Sequence, residues 1–165
     1  MTTRTARLLA KLALAVAAAG ASFVHAQDSA QPRVWEINGI RLEADQVERL
    51  ASDMAERTVA AVIENVPGIE LEDAQRAQML AIYRDVSLDV YASIVDVVNT
   101  PDLDDDTKEE RVRELTLAGC ERSHALLEPV LRQEQLALYT TWEQAQIEAY
   151  ENNRSDGRRR GRRRR

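Results

Sequence analysis

Residues 73–99 read DAQRAQMLAIYRDVSLDVYASIVDVVN. No Gly or Pro interrupts the run, which is too long for a strand and long enough for a helix of about seven turns. Leu80, Leu88, Tyr91, Val95 and Val98 recur on one stripe of that helix. Met79, Tyr83, Val86, Val90, Ile94 and Val97 recur on another. The segment Val90 to Val98 is rich enough in β-branched residues to suit a strand, but the uninterrupted length decides for helix. A helix apolar on two sides belongs at the centre of an assembly, packed between neighbours or across a dimer. The expected fold class is therefore all-α, an extended bundle of about four helices.

Outward from that centre, punctuation delimits the other helices. Val47, Leu50, Met54, Ala61 and Val62 give one buried stripe to a helix from Ala44 to Asn65, which Pro67-Gly68 stops. After Asn99-Thr100-Pro101, the acids Asp102, Asp104, Asp105 and Asp106 precede a third helix ending near Glu128. Four carboxylates raise the possibility of calcium, but they lack the alternation, the bend Gly and the later Glu of a calcium loop. Asp106-Thr107-Lys108-Glu109 has the spacing of a capping box, and acids suit a helix N-terminus. Val112, Leu115, Leu126 and Leu127 are expected inward, with Gly119 at a close approach. Pro129 ends that helix, and a fourth from Gln133 to Asn152 turns Leu136, Tyr139, Trp142 and Tyr150 inward. Ahead of all four, Val34 to Ile37 and Ile40 to Leu42 flank Asn38-Gly39, the dipeptide of a two-residue hairpin turn, with Trp35 folding onto the helices.

The termini differ in character from this body. Arg4, Arg7 and Lys11 precede an apolar run from Leu12 to Val24, and Val24-His25-Ala26 places small residues before Gln27. That order predicts a cleavable secretory signal over residues 1–26, cut after Ala26, and a periplasmic destination. The run is shorter than the roughly 20 apolar residues of a membrane span. Residues 27–32 read as linker and 33–152 as the helical domain, one domain in a chain of 165 residues. The whole chain holds 22 basic and 28 acidic groups. Eight of the arginines crowd into residues 154–165, so residues 27–153 keep 11 basic against 27 acidic groups, a net −16. The mature chain has no Phe, and so thin a core predicts a homodimer.

Three stretches share Leu-x-x-x-Gln at expected helix starts: Leu42 to Gln46, Leu71 to Gln75 and Leu131 to Gln135. Physically this is an entry device, with Leu as a staple outside the helix and Gln at the third position reaching back to a free backbone N–H. In these motifs, and in the acid-marked turn between two long helices, the chain resembles the periplasmic LTxxQ-motif proteins, the Spy/CpxP group, over about Ile69 to Ile147. The resemblance implies a small all-helical fold, often a curved dimer of helical hairpins. It implies an ATP-independent chaperone, an envelope-stress modulator or a metal-responsive accessory protein. Glu43, Glu72 and Arg132 stand where that family has Thr, and each is an inferior cap.

The candidate functional residues follow. On the chaperone reading Met79, Tyr83, Val86, Val90 and Ile94 form an apolar face for unfolded or envelope protein clients; the competing reading makes them core. Cys120 and His124 share one face of the third helix and are the metal candidates, one pair per chain, with structural filler favoured over a zinc site. The lone thiol also invites a disulfide between chains. Carboxylates on solvent faces give no acid–base centre, so neither an enzyme nor a cofactor is expected. Residues 153–165 read as a disordered tail. Its guanidiniums, Arg158, Arg159, Arg160, Arg162, Arg163, Arg164 and Arg165, form a salt-sensitive anion binder. For an exported chain the anions are lipid headgroups, the outer-membrane surface or acidic partners, and no nucleic acid is expected.

Overall fold

The structure, a computed structural model, describes residues 35–37 and 40–162, and the side chains of residues 35, 36 and 41–152. The expected signal (1–26) and linker (27–32), Asn38 and Gly39 of the expected turn, and Arg163, Arg164 and Arg165 lie outside the described residues. Two short strands, β1 (Trp35–Ile37) and β2 (Ile40–Leu42), precede four helices: α1 (Ala44–Asn65), α2 (Asp73–Asn99), α3 (Asp105–Leu127) and α4 (Gln133–Arg162). The strands pair antiparallel as Trp35 with Leu42, Glu36 with Arg41 and Ile37 with Ile40.

A two-stranded hairpin is marginal alone, and here two contacts fasten it to the helices. Trp35 is buried with Val47 of α1 and Val95 of α2, within a ring of Leu42, Leu88, Tyr91 and Ala92. The side-chain amide of Asn99, at the end of α2, donates to the carbonyl of Glu36.

Helix α2 is the centre: its stripe from Met79 to Ile94 is buried, while on the other stripe Val95 is buried and Leu80, Leu88, Tyr91 and Val98 are half-buried. Val86, Val90 and Ile94 pack with Val112 and Leu115 of α3. Met79 and Tyr83 join Ala55, Val59 and Val62 of α1, together with Leu127, Leu131 and Tyr139, in the main core. Full burial of side chains of this size contributes roughly 1.5–3 kcal/mol each. This corrects the assignment of Met79, Tyr83, Val86, Val90 and Ile94 as a client-binding face. All five are buried, because short turns fold α1 and α3 back against α2.

Other expectations shift by a position. The buried face of α1 runs through Val47, Ala51, Met54, Ala55, Thr58, Val59 and Val62, leaving Leu50 outside at 47% exposure. The small side chains of Ala51 and Ala55 occupy the face that meets the neighbouring elements. Leu126 is likewise exposed, one residue before the buried Leu127. Helix α3 is capped by Asp104 rather than Asp106: its carboxylate accepts from the Thr107 N–H at 2.7 Å. These hydrogen bonds hold the Asp104 carboxyl below its ordinary value, and Asp105 and Asp106 follow in the first turn, where the helix dipole favours acids. Between α1 and α2, Gly68 takes φ +83°, a left-handed conformation that L side chains rarely adopt.

The largest departure is at the C-terminus. Helix α4 continues to Arg162, ten residues past the expected end at Asn152, so residues 153–162 of the expected disordered tail are helical. Gly157 and Gly161 each cost about 1 kcal/mol, but extending an existing helix avoids the cost of nucleation. Arginine is a good helix former and its charge suits the C-terminal end. Among the described residues no helix is long and apolar enough to cross a membrane.

Candidate functional site

The three Leu-x-x-x-Gln motifs do at each helix start what their spacing predicts. The backbone N–H of Glu43 donates to Gln46 Oε1 at 2.9 Å, that of Glu72 to Gln75 Oε1 at 3.1 Å, and that of Arg132 to Gln135 Oε1 at 2.9 Å. Spacing alone does not disclose that two of these caps meet. Gln75 Nε2 donates to Gln135 Oε1 at 2.9 Å, and Gln135 Nε2 returns a bond to Gln75 Oε1 at 3.2 Å. The remaining amide protons go to Val130 and Glu70 carbonyls. Each amide thus uses both donors and both acceptor sites in the interior, which is how a buried polar pair avoids a desolvation penalty.

Beside this clasp, Glu72 and Arg132 form an ion pair, Arg132 Nη1 to Glu72 Oε1, at 2.6 Å. Glu72 and Arg132 occupy the same position in two of the three motif copies, and their opposite charges meet across the joint. The pair is solvent-exposed and worth about 1 kcal/mol or less. The legible signal was there: opposite charges at the same position of two motif copies.

A second polar cluster lies deeper, where α2, α3 and α4 converge. The Tyr83 hydroxyl donates to the Tyr139 hydroxyl at 2.9 Å, and the Tyr139 hydroxyl donates to Glu143 Oε1 at 2.7 Å. His124 Nδ1 lies 2.6 Å from Glu143 Oε2; a ring protonated on Nδ1 donates to that carboxylate. Glu143 is 5% exposed, and both its oxygens are engaged. Burial pushes the Tyr83 and Tyr139 phenols well above their ordinary range, with the Glu143 charge adding to the effect. Sequence reasoning missed Glu143. It stands four residues after Tyr139 on α4, and so on the same face, which was the available clue.

Cys120 and His124 share a face of α3, as expected, and that face turns into this cluster. Cys120 is buried beside Ile147. Burial pushes its thiol up, and the charges of Glu143 and Glu121 push it further, which disfavours the thiolate. Among the described residues no group of three or more His, Cys, Asp or Glu could hold a metal ion. Chemically the cluster is a hydrogen-bond chain that ties α4 to α2 and α3.

The arginines occupy different ground. Arg158, Arg159, Arg160 and Arg162 are on the last turns of α4. The same helix is anchored upstream by Gln135, Tyr139 and Glu143, and by Glu151, whose carboxylate accepts from Arg113 Nε at 2.9 Å. No protein-family model, curated protein or solved structure matches the chain.

Proposed function

We propose that this chain is an exported, periplasmic, non-enzymatic interaction module that docks on an anionic surface through the arginine end of α4. The observation that carries this reading is the continuity of α4 from Gln133 to Arg162. One helix, held to the bundle by the buried Gln135, Tyr139 and Glu143, bears Arg158, Arg159, Arg160 and Arg162 on its last turns. A helical segment loses less backbone entropy on docking than an unstructured one. Each arginine near an anionic bilayer contributes about 1 kcal/mol. The interior polar groups support the non-enzymatic part, since the Gln and Tyr–Glu–His clusters satisfy one another. Sedimentation with vesicles tests the proposal. Protein should pellet with phosphatidylglycerol-containing vesicles and not with neutral ones, and deletion of 158–165 should abolish pelleting. Equal binding to neutral vesicles, or binding that survives the deletion, would refute it.

A second reading, shielding of unfolded clients as the family resemblance implies, is favoured by four large apolar side chains left exposed: Leu50, Ile63, Leu126 and Leu138. A chaperone of this kind would suppress aggregation of a denatured client at stoichiometric amounts. Ile63→Asp with Leu138→Asp would remove that suppression while deletion of 158–165 would not.

A further inference from the structure

Tyr139 of α4 is fully buried, and its hydroxyl donates to Glu143 Oε1 at 2.7 Å. The Tyr83 hydroxyl of α2 donates to the same phenol oxygen at 2.9 Å. The second carboxylate oxygen of Glu143 lies 2.6 Å from His124 Nδ1 on α3, so the base is held from both sides. The Trp142 ring stands 6.0 Å from the Tyr139 ring, centroid to centroid, and Trp142 is only half-buried. A phenol paired with a base, with an indole leading from it toward the surface, is the arrangement of a one-electron donor.

Ionisation and oxidation make opposite demands on this cluster. Loss of the proton to solvent would set a phenolate beside the Glu143 carboxylate; burial, with the Glu143 charge adding, accordingly pushes the phenol well above its ordinary range. Loss of an electron alone would leave a cation radical, again a charge in the interior. Loss of both, with the proton passing to Glu143, leaves a neutral radical beside a neutral carboxyl and removes a buried negative charge. The desolvation that opposes the phenolate therefore favours the coupled step.

We propose that Tyr139 is a redox-active tyrosine, giving up one electron through Trp142 and its phenolic proton to Glu143. The Tyr139 O–H bond breaks and an O–H bond forms at Glu143 Oε1. The electron reduces an outer-sphere one-electron oxidant at the surface, such as a trivalent metal complex, and a neutral phenoxyl radical remains. The Tyr83 hydroxyl keeps donating to the radical oxygen, and the packed interior keeps water from it. A one-electron reductant such as ascorbate reverses the step, with Glu143 returning the proton. The inference rests on the interior cluster alone and is independent of the arginine end of α4 and of any membrane.

Flash photolysis of the full chain at neutral pH tests it, with tris(bipyridine)ruthenium as photo-oxidant and a sacrificial cobalt(III) acceptor. Electron paramagnetic resonance should show a radical whose signal narrows when the tyrosine rings are deuterated. Tyr139→Phe should abolish that signal, whereas Tyr91→Phe should leave it. Glu143→Gln can still accept the hydrogen bond but not the proton, so a tryptophan signal should replace the tyrosyl one. Trp142→Phe should lower the yield. In the unaltered protein heavy water should slow the rise of the signal, a readout that does not depend on any variant folding. A tyrosyl signal that survives Tyr139→Phe, a rise indifferent to heavy water, or oxidation of the unaltered protein confined to tryptophan would overturn the proposal.

Discussion

Gln75 and Gln135, 60 residues apart, exchange side-chain amide hydrogen bonds at 2.9 and 3.2 Å in the interior, while each also caps its own helix. The start of α2 and the start of α4 are thereby one joint, and the direction of α4 is set there.

Gln75→Ala and Gln135→Ala should each destabilise the protein by several kcal/mol, since each orphans buried backbone and side-chain groups at about 1–3 kcal/mol apiece. The double variant should cost clearly less than the sum, because the partners have already lost each other. Gln46→Ala, at an exposed helix start, should cost about 1 kcal/mol or less. Urea unfolding of the set checks this; additive losses would show that the two amides act separately.

Charge reversal at the neighbouring pair should behave as an exchange. Glu72→Arg or Arg132→Glu alone should cost about 1 kcal/mol, and combining them should recover most of the loss. A double variant no better than the worse single would mean the ion pair does not operate in solution.

Alkaline pH should destabilise the fold earlier than lysine or arginine chemistry would. Tyr83 and Tyr139 have their ionisation raised in the folded state by burial, so the unfolded chain gives up those protons first. The stabilising contribution is complete below the ordinary tyrosine value, about 10, and is lost as pH rises above it. Thermal melts from pH 8 to 11.5 should show the decline, and Tyr83→Phe should flatten it. A flat profile in the parent protein would contradict the buried pair.

The folded protein should resist thiol reagents, and Cys120 should label at the rate of global unfolding. Rapid labelling of native protein would place the sulfur at the surface. The same burial argues against a disulfide between chains through Cys120.

The local parts of this architecture were legible in the chain. The bounds of α1 and α2 follow from the Leu-x-x-x-Gln starts, from Pro67-Gly68 and from Asn99-Thr100-Pro101, all of which act through neighbouring residues. What depends on distant partners was not legible. The Met79 to Ile94 stripe carries the same apolar pattern whether clients or α1 and α3 cover it, so Val90→Asp should unfold the protein rather than disable a surface. Glu143 looked like any helical acid until Tyr139, Tyr83 and His124 were brought around it. Residues 153–165 read as a disordered tail, but an anchored helix carries its propagation past Asn152 to Arg162.

The dependence of vesicle affinity on salt addresses the central claim most directly. Binding of the intact protein to phosphatidylglycerol vesicles should weaken steeply as salt rises, since several guanidiniums act at once. The protein lacking residues 158–165 should bind weakly, with almost no salt dependence. Matching curves for the two proteins would contradict the assignment of α4's arginine end as the docking element.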